Sequence, residues 1–166
     1  MKVIFLDIDG VLNMYGASAR TFMKPYGQHI EPHLVQRLNY IIENSRCNIV
    51  VSSAWRSDMD DLKTQLEEQG FKYWGNVIGK TCKPKEKSED IPYPRTRDAY
   101  LYNDRGEQIC KWLDDSEINV EKYVVVDDET SDILPYVRIE NIVQTDSNEG
   151  MLDKDAKLII EKLEEI

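Results

Sequence analysis

Cysteine is scarce in this chain, and a disulfide framework is excluded with it: Cys47, Cys82 and Cys110, three in 166 residues, are odd in number, far apart and without a C-x-x-C pair. Thiols used this sparingly point to a reducing compartment. Long apolar runs are absent too, since nothing approaches the ~18 residues that a membrane span needs. The opening apolar stretch, Val3 to Leu6, is cut by Asp7 and is too short for a signal peptide. A cytoplasmic protein with no membrane partner is expected. Positive charge is the minority sign, with 21 Lys and Arg against 31 Asp and Glu and a net charge of −10. That balance disfavours sequence-independent adhesion to nucleic acid, which draws its affinity from lysine and arginine on phosphates, but it leaves room for a local basic site. Internal repeats and low-complexity tails are missing, and nothing marks an obligate protein partner.

What is present is an alternation of short apolar runs with amphipathic stretches, the pattern of strands and helices taking turns in a mostly parallel sheet. The runs predict strands at Lys2–Leu6, Asn48–Val51, Tyr73–Ile78 (weakened by Gly75), Tyr123–Val126 and Ile142–Gln144. Unbroken apolarity in the first, second and fourth implies burial on both faces. Leu34, Leu38, Ile41 and Ile42 fall at helical spacing behind Pro32, which suits a first helical position. Met59, Leu62 and Leu66 predict a second helix ending at Gly70, Ile109, Trp112 and Leu113 a third, and Ala156, Ile159, Ile160 and Leu163 a last one with Asp153 as its N-cap. The expected architecture is a single α/β domain over residues 1–166, three-layered and Rossmann-like, with helices on both faces of the sheet. Residues of about 13–31 read as a flap, and those of about 80–104 as a small irregular insert.

The chemistry sits where the best strands end. Val3-Ile4-Phe5-Leu6 is followed by Asp7-Ile8-Asp9-Gly10, Ile49-Val50-Val51 by Ser52-Ser53, and Val124-Val125-Val126 by Asp127-Asp128. In an open parallel sheet those ends share one edge, and ligands bind in the crevice there. Four carboxylates and a hydroxyl are therefore expected to converge. Carboxylates at close range repel and raise one another's pKa, so such a cluster calls for a cation or a shared proton. Hard oxygen ligands beside a phosphate suit Mg²⁺.

This series of strand ends resembles the haloacid dehalogenase superfamily of aspartate-nucleophile phosphotransferases. Asp7, Asp9 and Gly10 match its first motif, Ser52 its second, and Asp127 and Asp128 its fourth; Arg105, opening the helix before the fourth strand, fits the third. The resemblance implies that Asp7 attacks phosphorus and that Asp9 serves the leaving group and then the hydrolytic water. It further implies that Ser52 hydrogen-bonds the phosphoryl group and Arg105 offsets its charge. Mg²⁺ would be held by Asp7, the Asp9 backbone carbonyl and Asp127 or Asp128. A second Asp in the first motif favours a phosphatase or phosphomutase over a dehalogenase or a transport ATPase. Lys80, Lys83, Lys85, Arg95, Arg97 and Lys111 lie in the same interval as Arg105 and compete for its role.

The insert leaves too little chain for a full cap, so a minimal or absent cap and an open cleft are expected. Residues 80–105 carry +2 against −12 for the rest, with Tyr93, Tyr100 and Tyr102 interleaved, a combination suited to a single-stranded nucleic acid end. The run Ser52-Ser53-Ala54-Trp55-Arg56, with Arg105-x-x-x-Ile109-x-x-Trp112-Leu113 and Val126-Asp127-Asp128, is similar to the small domains of bacterial RNA repair proteins and the phosphatase half of phage polynucleotide kinases. It implies hydrolysis of a 3′-phosphate end, with Trp55 and Arg56, one turn past Ser52, touching the substrate and Ser53 and Arg97 as further substrate contacts. Small nucleotide or sugar phosphates are the alternative substrates. A non-enzymatic receiver-like phospho-switch uses similar residues in a different strand order, and a nucleotide-sugar transferase would not place its DxD after the first strand. His29 and His33 stand four apart, close enough for a zinc pair but more in keeping with two surface side chains.

Overall fold

The structure is a computed structural model that describes residues 1–15, 29–82 and 104–164. The elements follow one another as β1 (Lys2–Leu6), α1 (Pro32–Ser45), β2 (Asn48–Val51), α2 (Met59–Glu68), β3 (Val77–Lys80), α3 (Arg105–Asp115), β4 (Lys122–Asp127), β5 (Ile142–Gln144) and α4 (Asp153–Glu164). Among the described residues the strands form one parallel sheet in the order β3-β2-β1-β4-β5. This is the expected α/β, Rossmann-like arrangement.

Strand side chains alternate between two cores, which explains the unbroken apolarity of β1. Ile4 and Leu6 belong to a cluster shared with Leu34 and Leu38 of α1, Leu62 and Leu66 of α2 and Ile159 and Leu163 of α4. Val3 and Phe5 belong to a second cluster with Ile109 of α3, Ile133 and Val137. Trp112 of α3 meets the Phe5 ring edge-on at 5.4 Å. Because both faces are covered, polar side chains on this sheet stand at or just past the strand ends. The chain passes from β1 to β2 and β3 on one side, and the later strands build out on the other. The crevice of such a sheet opens at this reversal of strand order, here between the tips of β1 and β4.

Three boundaries differ from the sequence reading. The third strand starts at Val77, because Trp74–Asn76 turn as a short 3₁₀ segment in which Asn76 N donates to Tyr73 O at 2.8 Å and Asn76 Nδ2 to Cys47 O at 3.0 Å. Helix α2 ends at Glu68, with Gly70 just beyond at φ +90°. Asp153 is the first residue of α4 rather than its cap; the carboxylate of Asp155 reaches back to the Leu152 N–H at 2.8 Å instead. The flap and insert expected at about 13–31 and 80–104 lie for the most part outside the described residues. No helix among the described residues is long and apolar enough to cross a membrane.

Candidate active site

Ladder hydrogen bonds continue one residue past each strand and set the floor of the site. Asp7 N donates to Val126 O at 3.0 Å, Ser52 N to Leu6 O at 2.8 Å, Thr81 N to Val51 O at 2.9 Å and Thr145 N to Asp127 O at 3.1 Å. Asp7, Ser52, Thr81 and Asp127 thus stand along one edge, each 5% exposed or less. Their positions are fixed by backbone rather than by side-chain rotamers.

One carboxylate oxygen from each of Asp7, Asp127 and Asp128 lies within 4.8 Å of the other two. Burial raises the Asp7 pKa, against the pull of Arg105. Burial, followed by the charge of Asp7, pushes Asp127 up to about 7 and raises Asp128 as well. Arg105 Nη1 is 2.8 Å from Asp7 Oδ2 and also pairs with Asp127 Oδ2. Burial alone would lower the guanidinium's pKa, but the two carboxylates outweigh it and raise the value. Neither Asp7 oxygen receives a well-directed hydrogen bond, although the residue is 1% exposed. One guanidinium against three closely spaced acids leaves negative charge uncompensated, and an all-oxygen set of this kind fits a hard divalent cation such as Mg²⁺.

The turn after β1 depends on glycine. Gly10 has φ +70°, and a Cβ there would fall 2.4 Å from Asp128 Cγ. Only a residue without a side chain lets the two acidic loops close on each other. Thr145 Oγ1 donates to Gly10 O at 2.8 Å and Gln144 Nε2 to Asp128 O at 2.8 Å, so β5 braces both loops. Asp9 is partly exposed beside them. Asn13 Nδ2 donates to Asp9 Oδ1 at 2.7 Å, and Trp55 Nε1 donates to Oδ1 at 3.0 Å and to Oδ2 at 3.1 Å.

The loop after β2 brings a hydroxyl and a cation. Ser52 Oγ is buried with no hydrogen-bond partner among the described residues, as are Thr81 Oγ1 and Arg56 Nε. Ser53 Oγ caps the short Ala54–Ser57 turn by accepting from Trp55 N at 3.4 Å, and it stands near enough to the Asp7 carboxyl to pull its pKa down against burial. Arg56 Nη1 donates to Ser53 O at 2.8 Å, which folds the guanidinium back toward the site. Desolvation and then the nearby Arg105 lower its pKa. Lys80 Nζ, the next cation outward, donates to Arg56 O at 2.9 Å.

Arg105 owes its place to a clamp between α3 and the loop after β4. Asp132 Oδ2 accepts from Arg105 N at 3.1 Å, and Asp132 O accepts from Gly106 N at 3.3 Å. A Cβ on Gly106 would come within 2.8 Å of Ile133 O, so glycine is needed for the approach. Asp132 therefore caps the start of α3. Among the competitors for the third motif, Lys111 pairs with Asp115 away from the cluster, and Lys83, Lys85, Arg95 and Arg97 lie outside the described residues, as do Tyr93, Tyr100 and Tyr102. His29 and His33 are exposed. Sequence reasoning missed Thr81, the Asn13 bond to Asp9 and Tyr15. Tyr15, 50% exposed, stands near enough to Asp9, Asp128 and Asp7 that burial and then these charges raise its pKa. Beyond Asp128 opens a cavity of about 440 Å³ lined by Gln144, Thr145, Asp146, Ser147 and Lys154 among others.

A parallel sheet of this order, with Asp7, Asp9, Ser52, Arg105 and the paired acids at one edge, defines a domain of the haloacid dehalogenase type. More particularly, residues 3–156 match the family model described as the HAD domain in Swiss Army Knife RNA repair proteins, and the chain belongs to that family. Membership implies hydrolase activity of the phosphatase kind in general. Neither the curated proteins nor the solved structures yield a match.

Proposed function

We propose that the chain is a Mg²⁺-dependent phosphomonoester hydrolase that works through an aspartyl phosphate on Asp7 and acts on the 3′-phosphate end of a nucleic acid. The observation that carries this reading is the buried Asp7 carboxylate, free of directed hydrogen bonds, beside the Arg105 guanidinium and the unpartnered Ser52 hydroxyl. A buried polar group left unmatched inside a fold is costly: a phosphoryl oxygen would accept from the Ser52 hydroxyl, and a divalent cation would neutralise the Asp7 carboxylate beside it.

In the proposed reaction an Asp7 oxygen bonds to phosphorus while Asp9 passes a proton to the leaving oxygen. Asp9 then takes a proton from the water that opens the acyl phosphate. Ser52 Oγ donates to a phosphoryl oxygen, and Arg105 balances the charge there. Asp7, Asp127, Asp128 and the Asp9 backbone carbonyl would hold Mg²⁺, which supplies charge neutralisation that lets an anionic nucleophile approach an anionic phosphate. Ser53 steadies Asp7 and the loop, and Arg56 is the substrate-side cation; Arg97 belongs to the same proposal outside the described residues.

Three features support a nucleic acid end over a small phosphate. The family's name places such domains in RNA repair proteins. Tyr15 offers a half-exposed ring at the rim, on which a base can stack. Arg56, near enough to Arg105 and Asp7 to feel both charges, and Lys80, whose Nζ donates to Arg56 O at 2.9 Å, add positive charge beside the acids that a phosphodiester can meet. The cytoplasmic location expected from the cysteines belongs to this reading.

The test is phosphate release from 3′-phosphorylated oligonucleotides, 5′ nucleotides, sugar phosphates and phosphopeptides with Mg²⁺, using Asp7→Asn as the blank. Fastest release from the oligonucleotide, lost in the variant, is expected. Release confined to sugar phosphates would remove the nucleic acid end, and no release from any member would remove the hydrolase.

A further inference from the structure

Asp9 has a partly exposed carboxylate whose two oxygens are not equivalent. Oδ1 accepts from Asn13 Nδ2 at 2.7 Å, while the Trp55 Nε1 proton is shared almost evenly between Oδ1 at 3.0 Å and Oδ2 at 3.1 Å, so among the described residues Oδ1 has the one donor that Oδ2 lacks. The Asn13 amide can be oriented in one way only. Gly10 N, which can only donate, points at its oxygen at 2.8 Å, so the amide nitrogen must face Asp9. Asn13 is 1% exposed and cannot swing away. The Trp55 ring packs against the main core, and its backbone is tied to Ser53 Oγ. Two rigid donors from different loops therefore converge on one carboxylate.

We infer that Trp55 and Asn13 are positioning residues: the indole N–H fixes the plane of the Asp9 carboxyl across both oxygens, and Asn13 holds Oδ1, so that Oδ2 is the oxygen that serves the leaving oxygen of the substrate. The inference rests on the phosphatase reading. In the step concerned, an Asp7 oxygen forms a bond to phosphorus, the bond from phosphorus to the leaving oxygen breaks with its electron pair, and the proton on Asp9 Oδ2 goes to that oxygen. An alcohol is a poor leaving group and needs this proton; p-nitrophenolate departs with far less help. Asp9 held off line therefore penalises an alkyl phosphate more than an aryl one. A residue that merely supported the fold would penalise both alike. Trp55 also follows Ser52 by three residues, so one short loop carries both the phosphoryl hydroxyl and the support of the acid.

The experiment measures single-turnover release of the leaving group from a deoxynucleoside 3′-phosphate and from p-nitrophenyl phosphate, in wild type, Trp55→Phe and Asn13→Ala, with Mg²⁺. Phe keeps most of the ring packing and deletes the N–H; Ala at 13 tests the second donor separately. General acids contribute roughly 10²- to 10⁴-fold, so misplacing one is expected to slow nucleoside release at least about tenfold more than p-nitrophenol release in each variant. Equal slowing of the two substrates, or no slowing, overturns the positioning role and leaves the phosphatase reading standing. Failure of the wild-type protein to release either product overturns both.

Discussion

Removing divalent cations from the protein should make its stability fall as the pH rises from 5 to 8, against the usual behaviour of an aspartate. Asp127 is 1% exposed, and its carboxyl is pushed up to about 7, from an ordinary 3.8, by burial and by Asp7. A carboxyl whose folded pKa is raised contributes stability that is fully present below its unfolded value and is lost as pH climbs through the folded one. The window here is about pH 4 to 7. The size of the rise corresponds to a few kcal/mol by the ordinary conversion, on the order of 4. In a chain of this length, 1 kcal/mol moves Tm by roughly 2–4 °C, which puts the loss at several degrees or more. Thermal unfolding in EDTA at intervals from pH 5 to 8 reads it, and Asp127→Asn, which cannot ionise, isolates the contribution. The wild-type Tm should fall relative to the variant across that range. Mg²⁺ held at one concentration, a hundred times its Kd at pH 8, should then restore about 2.7 kcal/mol at pH 8 and less at pH 5, because protons compete for the same oxygens and raise Kd there. Parallel wild-type and variant curves, or a Mg²⁺ shift that shrinks as pH rises, would refute the reasoning.

Two substitutions probe the parts around the acids. Arg105→Ala removes the guanidinium that bridges Asp7 and Asp127, and turnover of the best substrate should drop roughly 10²- to 10³-fold, as loss of one electrostatic group commonly does; an unchanged rate would pass the role to another cation such as Lys80. Gly10→Ala adds a methyl 2.4 Å from Asp128 Cγ at φ +70°, so it should lower Tm and weaken Mg²⁺ binding in calorimetry together, and full Mg²⁺ affinity would show that Asp128 does not depend on that close approach.

The features legible in the sequence share a physical origin. β1, β2 and β4 are buried on both faces, so their apolar runs are unbroken and the first polar residue after each run marks the sheet edge: Asp7, Ser52 and Asp127. Arg105 was readable because α3 begins there. Support contacts were not readable, because they join residues far apart in the chain. Trp55 meets Asp9 across 46 positions and Asp132 meets Arg105 across 27. The short, half-buried β3 carries no unbroken apolar run, so its start at Val77 was misplaced, and with it the importance of Thr81, which follows the strand. Asn13 lies only four residues from Asp9, and its spacing in the turn was the one available signal.

The central claim is that Asp7 becomes bonded to phosphorus during turnover, and chemical trapping tests it most directly. Borohydride added during steady-state hydrolysis reduces an acyl phosphate to an alcohol, converting the modified aspartate to homoserine. Peptide mass mapping should then find homoserine at position 7, dependent on substrate and absent from protein that has not been exposed to a phosphate ester. Vigorous phosphate release with position 7 still aspartate, and the change found elsewhere or nowhere, would contradict it.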